Sequence, residues 1–496
     1  MPLLSEMDRN GAIALLNQIV TVGVDFKLDD QVTRKRLAPA EIRDLLVTDL
    51  PVEPTCVPAV VQELVDTVLP MCNNEASPRF LGFGHTGADV AALAGGLLAL
   101  FAQQNLINQS FAAPSATFTE IAVIRWLRDL IGFTNPAAAD VKTVWDVGGV
   151  TTYGGTGSNT TAMMLARENL APGTMHNGVT DATRMHIVVP AGIGHYSVKS
   201  ALEWIGCGGR IIEVPTSGYR YDLTALEHTL KERRGEVMSV VAYTGDSRTH
   251  TVENLRAVHD ITRAIDPRIW LHADACWGLM CAFAPELAHK LTGIENFDSV
   301  TVDPHKVMDI PYAMSALLVR DPASLRLVSS YSDLIMQEDF AFGQVTPFIG
   351  TKEWSSVKLW AMMRAHGRRG LADLMRRRLI TTRTFTGLVD DNSRLLRLND
   401  PDMTAVVFMY LPTGHDPLRP DVERINAISK AIHARILEEG RWHFHQFSLP
   451  DDTGRIQQDA TLHPLRFMGN NGRITESHMR DALAYVTGLG HALEQQ

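Results

Sequence analysis

Between residues 91 and 385 the chain alternates short β-rich apolar runs, at residues 185–189, 210–214, 238–242, 269–272 and 315–319, with stretches of helical period such as 118–130 and 160–168. Strands that are apolar on both faces and divided by helices imply a mainly parallel sheet covered on each side. This constrains the chain to an α/β fold, and in such sheets ligands gather at the carboxyl ends of the strands.

The flanking regions read differently. Residues 1–90 give amphipathic helical patterns at 11–22, 40–47 and 57–68, separated by Pro39, Pro51 and Pro54. They are too thin to form a core alone, so an arm packed on the main domain or on a second subunit is expected. Residues 91–385 form the large domain, with helices at 352–365 and 371–389 leading out of it. Residues 386–496 mix strands at 404–410 and 442–447 with helices at 421–438 and 475–493, a smaller α+β domain.

Composition narrows the classes. The net charge of −10 and the lack of a basic stripe argue against a nucleic-acid binder. Five scattered cysteines without a CxxC pair favour reduced thiols, a cytoplasmic location and no metal site. The most apolar segment, 88–102, contains Asp89 and is too short to cross a bilayer, so no membrane partner is expected.

Four stretches carry chemistry-bearing residues. Asp298-Ser-Val-Thr-Val-Asp-Pro-His305-Lys306 delivers a lysine at a strand exit, where desolvation lowers an amine's pKa and suits it to Schiff-base chemistry; the alternative is a surface lysine. Gly154-Gly155-Thr156-Gly157-Ser158-Asn159 runs into a helix whose free amides suit a phosphate, or forms an empty structural turn. His195 follows a strand and can lie flat on a planar ring, or serve as a hydrogen-bonded structural histidine. Asp274, in His272-Ala-Asp-Ala-Cys276, ends an apolar strand and needs a cation, such as a protonated pyridine nitrogen, unless it is a cap or an internal ion pair. Together the four match what pyridoxal phosphate requires.

With these motifs, and Lys358-Leu-Trp360 after Gly350-Thr-Lys352, the sequence resembles the fold-type I pyridoxal-phosphate decarboxylases that include the glutamate, cysteine-sulfinate and aromatic amino-acid enzymes. The resemblance implies a seven-stranded, mainly parallel sheet, a homodimer, and release of the α-carboxylate of an L-amino acid as carbon dioxide. By resemblance Lys306 is the Schiff-base lysine, Asp274 the pyridine partner and His195 the stacked ring. Gly155, Thr156 and Ser158 hold the phosphate with His305, and Arg466 anchors the substrate carboxylate.

Three departures stand out. Gly245-Asp246-Ser247 replaces a Gly-Thr-Thr turn, placing an acid near Ser247, the expected phosphate contact. Cys276 replaces a small residue under the ring, and Tyr331 is the nearest counterpart of the loop tyrosine that protonates the product. Phe80, Phe83, His85 and Asn105 are expected to line the side-chain pocket. Gly82-Phe83-Gly84, where relatives acting on acidic substrates carry amides, points to an apolar or medium-sized substrate. A decarboxylation-dependent oxidative deaminase, another lyase on the same scaffold, and a catalytically silent binding protein are the alternatives.

Overall fold

Alternating β-branched runs and helices produce a seven-stranded sheet in the computed structural model, which describes residues 4–336 and 339–495. Its strands are β1 (Gly149–Thr152), β2 (His186–Pro190), β3 (Ile211–Val214), β4 (Val237–Tyr243), β5 (Trp270–Ala275), β6 (Ser299–Val302) and β7 (Ser315–Val319). The spatial order is β1-β7-β6-β5-β4-β2-β3. β7 runs antiparallel to both its neighbours, and the pairings from β6 across to β3 are parallel. Every residue of β4, β5, β6 and β7 is buried, as a sheet covered on both faces requires. This is the mainly parallel sheet, covered on both faces, that the sequence pattern implied.

Two expected helices at 352–365 and 371–389 form one long element, Ser356–Asp390, broken at Gly367, whose φ of 59° no ordinary helix contains. It carries the chain to a second, antiparallel sheet of β8 (Leu395–Arg397), β9 (Ala405–Tyr410), β10 (His445–Gln446) and β11 (Leu465–Met468), in the order β8-β9-β11-β10. The strand expected over 442–447 shrinks to two residues. Helices Val422–Glu439 and Glu476–Glu494 cover this sheet, and Phe385 lies flat on Phe467 with ring centroids 3.8 Å apart.

The N-terminal region departs from a simple arm. Its last part leaves the arm and joins the small sheet: Leu81 N–H donates to His443 O, and Met468 N–H donates to Leu81 O. Leu81 is fully buried in the same cluster as Phe385, Phe408 and Phe444. This segment thus belongs to the C-terminal core, which places Gly82, Phe83 and His85 between the two sheets.

The first helix, Arg9–Leu28, buries only Ala12 and leaves Leu16, Val20 and Val24 exposed. At 20 residues it is long and apolar enough to cross a bilayer by length and composition, unlike the 88–102 segment singled out from the sequence. Helix Val90–Ala102 likewise exposes Leu97, Leu98, Leu100 and Phe101.

Removing the Phe385 ring leaves a cavity against Phe467 that the stacked core cannot refill. Phe385→Ala is therefore expected to cost about 3–5 kcal/mol in denaturant unfolding. A cost within the range of a surface substitution would show that the small-domain core is not tightly packed there.

Candidate active site

Pro304 ends β6 and starts a single helical turn, Pro304–Val307, that turns Lys306 back over the sheet. Lys306 Nζ lies 2.7 Å from Asp303 Oδ2 and 5.7 Å from the centre of the Trp277 ring. Desolvation alone would lower the lysine's pKa, as expected from sequence, but the charge of Asp303, with Asp274 behind it, more than reverses this and raises it above its ordinary value. The amine is a paired ammonium in the protein without cofactor. Asp303 is completely buried, and its pKa is pushed down against its own burial by Lys306 and His305.

Asp274 sits at the end of β5, 5% exposed. Asn159 Nδ2 donates to its Oδ2 at 3.0 Å and Cys276 N–H to its Oδ1 at 3.2 Å. Among the described residues it has no ion-pair partner. A buried carboxylate with hydrogen bonds but no cation is a receptor for one, and a pyridinium nitrogen meets that need. His195 caps the helix Tyr196–Trp204; its backbone N–H donates to Tyr243 Oη at 2.8 Å, and burial lowers its pKa so that the ring is neutral.

Gly154, with φ of 109°, precedes the helix Gly155–Leu170, and a side chain at Gly154 would meet open space. The backbone amides of Gly157 and Ser158 bond back to Gly154 O, which leaves those of Gly155 and Thr156 directed outward. Ser158 Oγ is 2.7 Å from Thr152 Oγ1. A Cβ on Gly155 would lie 2.7 Å from Asp303 and 2.8 Å from the Cys276 sulfur, so only glycine lets the helix start this close to the lysine. Cys276 is buried and burial pushes its pKa well up, leaving it a neutral thiol. His305 Nδ1 lies 2.7 Å from Met314 O, which leaves its other nitrogen for the cavity. These groups fit pyridoxal phosphate: outward amides for the phosphate, an unpaired acid for the ring nitrogen, and a lysine for the aldehyde.

Arg466, on β11, is 2% exposed. Its guanidinium donates to Gly82 O at 2.9 Å and to Ser247 O, and lies over Phe83 and Phe447 at 5.1 and 5.5 Å. No carboxylate is within ion-pair distance among the described residues, and Nε has no hydrogen-bond partner. Ser247 thus contributes its carbonyl, and among the described residues its hydroxyl has no hydrogen-bond contact. The Asp246 carboxylate is consumed by its own loop, accepting from the N–H groups of Arg248, Thr249 and Thr251.

Phe83 stacks on His85 at 5.4 Å, and His85 stacks on Trp277 at 5.4 Å. Phe80 stacks on His443 behind them at 4.3 Å. Two expected residues lie elsewhere. The Asn105 carboxamide oxygen is taken up by backbone, accepting from Ile107 N–H in its own turn and from the distant Lys352 N–H. Tyr331 is 75% exposed on the surface. The tyrosine that lies against the cluster is Tyr312, 5.2 Å from the His305 ring and bonded to Glu75 at 3.2 Å. Sequence reasoning also missed His250, His443 and His445. The alternation His443-Phe-His445 puts both imidazoles on one face and is a usable signal, whereas nothing marks His250.

A family profile described as the pyridoxal-dependent decarboxylase conserved domain matches residues 39–411. The chain belongs to this family. It is a pyridoxal-phosphate-dependent amino-acid decarboxylase. It is 27% identical over 445 residues to the L-2,4-diaminobutyrate decarboxylase of Rhizobium meliloti (strain 1021), covering 86% of this chain and 85% of that protein. With the human cysteine sulfinic acid decarboxylase it shares 26% identity over 383 residues, 73% and 74% of the two chains. The fold matches that of mouse CSAD in its apo form with a TM-score of 0.86 at 22% identity, covering 97% and 99%. It matches Oryza sativa TDC with PLP and tryptamine at 0.85 and 20% identity, covering 98% and 99%.

Burial, reinforced by nearby positive charge (Lys306 for His85, Arg466 for His445), lowers the pKa of His85 to about 3, His443 to about 4 and His445 to about 3. All three are neutral in the fold and take up protons near the ordinary histidine value when unfolded. Their stabilisation is present above about pH 6.5 and is lost as pH falls from there toward about pH 4. Urea unfolding across that window is expected to show falling stability with acid, with a shallower slope for His443→Gln. For the lysine, Asp303→Asn is expected to move the pH midpoint of Lys306 labelling by an amine reagent in the cofactor-free protein downward. An unmoved midpoint would show that Asp303 does not hold the proton.

Proposed function

We propose that this decarboxylase acts on L-amino acids with an uncharged, flat or medium-sized side chain, as a homodimer in the cytoplasm. The observation carrying the substrate reading is the wall of Phe83, neutral His85 and Trp277 beside Arg466, which offers stacking surface and no paired charge for a second ionic group. When bound, pyridoxal phosphate supplies the electron sink that accepts the electrons of the breaking Cα–carboxylate bond.

The chain's own residues do the rest. The amides of Gly155 and Thr156, with Ser158 and His305, orient the phosphate end. Asp274 would hold the proton on the ring nitrogen, and His195 and Cys276 would confine the ring. Arg466 holds the carboxylate by its unbonded Nε edge, in a site from which aromatic rings exclude water. Lys306 Nζ, kept charged by Asp303, carries the proton that replaces the carboxylate at Cα. Lys306→Ala is expected to abolish turnover and the visible absorbance of the reconstituted protein.

A screen of amino acids for carbon dioxide release decides the substrate class. Aromatic and apolar substrates are expected to outpace glutamate and diaminobutyrate, and the reverse order would overturn the reading. Tyr331→Phe is expected to keep the amine as product. A switch to aldehyde with oxygen uptake would instead assign the proton to Tyr331, delivered by a second copy.

The exposed apolar stripes of helices Arg9–Leu28 and Val90–Ala102 support a dimer that covers both. Light scattering is expected to give twice the chain mass in the soluble fraction. A fully active monomer, or recovery in membranes, would contradict this. Five cysteines without a disulfide support the cytoplasmic location.

A further inference from the structure

Beneath the site runs an unbroken line of buried hydrogen bonds whose direction is fixed from its Asp274 end. Asp274 can only accept, so the Asn159 edge facing it at 3.0 Å must be the amide nitrogen, and the oxygen must face His272 Nε2, 3.0 Å away. An amide oxygen can only accept, so Nε2 carries a proton. His272 is fully buried, and burial lowers its pKa to about 4, so the ring is neutral and its Nδ1 is bare. Ser299 Oγ, 2.8 Å from Nδ1, therefore donates to it, and accepts in turn from Trp270 Nε1 at 2.7 Å.

The same amide nitrogen donates to Ser197 Oγ at 2.9 Å. His195 Nδ1 accepts the Ser197 backbone N–H at 3.3 Å, so the Ser197 hydroxyl, 2.6 Å from the same nitrogen, donates to it as well. A ring nitrogen that accepts from two donors carries no proton.

We propose that Asn159 is a positioning residue that couples Asp274 to His195, and that the line Trp270–Ser299–His272 sets its orientation. One carboxamide fixes the acid meant for the pyridine nitrogen and sets the stacked imidazole as its Nε2–H tautomer, presenting a proton to the cavity. If Asn159 were reversed, its oxygen would face the Asp274 carboxylate and its nitrogen the His272 N–H, two repulsive contacts in a dry interior. The inference rests on the reading of Asp274 and His195 as the two residues that handle the cofactor ring, but its primary test needs no cofactor.

Nitrogen NMR of cofactor-free protein with labelled histidine, the His195 signal assigned by its loss in His195→Gln, is expected to show Nδ1 bare and Nε2 protonated at neutral pH. A protonated Nδ1 would overturn the proposal whatever the enzyme's activity. The second arm compares His272→Leu with His272→Gln, whose amide nitrogen reaches the position of Nε2. Leucine is expected to weaken cofactor binding about tenfold or more, the value of one charge-linked hydrogen bond, and to scramble the His195 tautomer. Glutamine is expected to restore most of both. Equal effects of the two variants, or none, would overturn the coupling, and if the leucine variant fails to fold the wild-type tautomer still decides.

Discussion

A carboxylate sealed inside a protein without a counter-charge is among the costliest arrangements a fold can keep, and the end of β5 keeps one in Asp274. Two hydrogen bonds moderate the cost without neutralising it. Around this acid the strand order makes sense: β5 lies mid-sheet, β6 beside it brings Lys306, and the helix after β1 opens its free amides towards the same cavity. Each strand exit adds one group, and none of the groups is sufficient alone.

Charge is distributed with equal economy. Lys306 has Asp303 as its own acid, so its charge is balanced inside the site. Arg466 has none, and burial, with its field added, keeps neighbouring imidazoles neutral. Lys306 is thus a satisfied cation and Arg466 an unsatisfied one, which separates a place for amine chemistry from a place for a carboxylate. Chemical selectivity for an amino acid follows from that division.

The sequence made the sheet legible because buried strands announce themselves by β-branched runs, and it made Lys306, Asp274 and His195 legible because each stands at a strand exit. Arg466 was recognised only by resemblance, since one arginine in a short strand gives no local sign of burial. His250 and the role of Asn159 were invisible because their partners lie far along the chain, as with Asn159 and Asp274, 115 residues apart. Asn105 and Tyr331 were plausible from position alone, yet backbone demands claimed the first and solvent the second. Lys306 is buried as its position at a strand exit implies, but an acid three residues earlier reverses the sign of the effect on its amine.

Arg466 is gripped by two carbonyls that come from remote parts of the chain: Gly82, at the end of the N-terminal segment, and Ser247, on a loop of the large domain, while the arginine itself belongs to the small sheet. Three separate parts of the chain must meet before that guanidinium is aimed. A nascent or partly loosened chain can therefore bury its lysine and still be unable to grasp an amino acid, so the competence to react is a property of the assembled whole, withheld until the last piece docks.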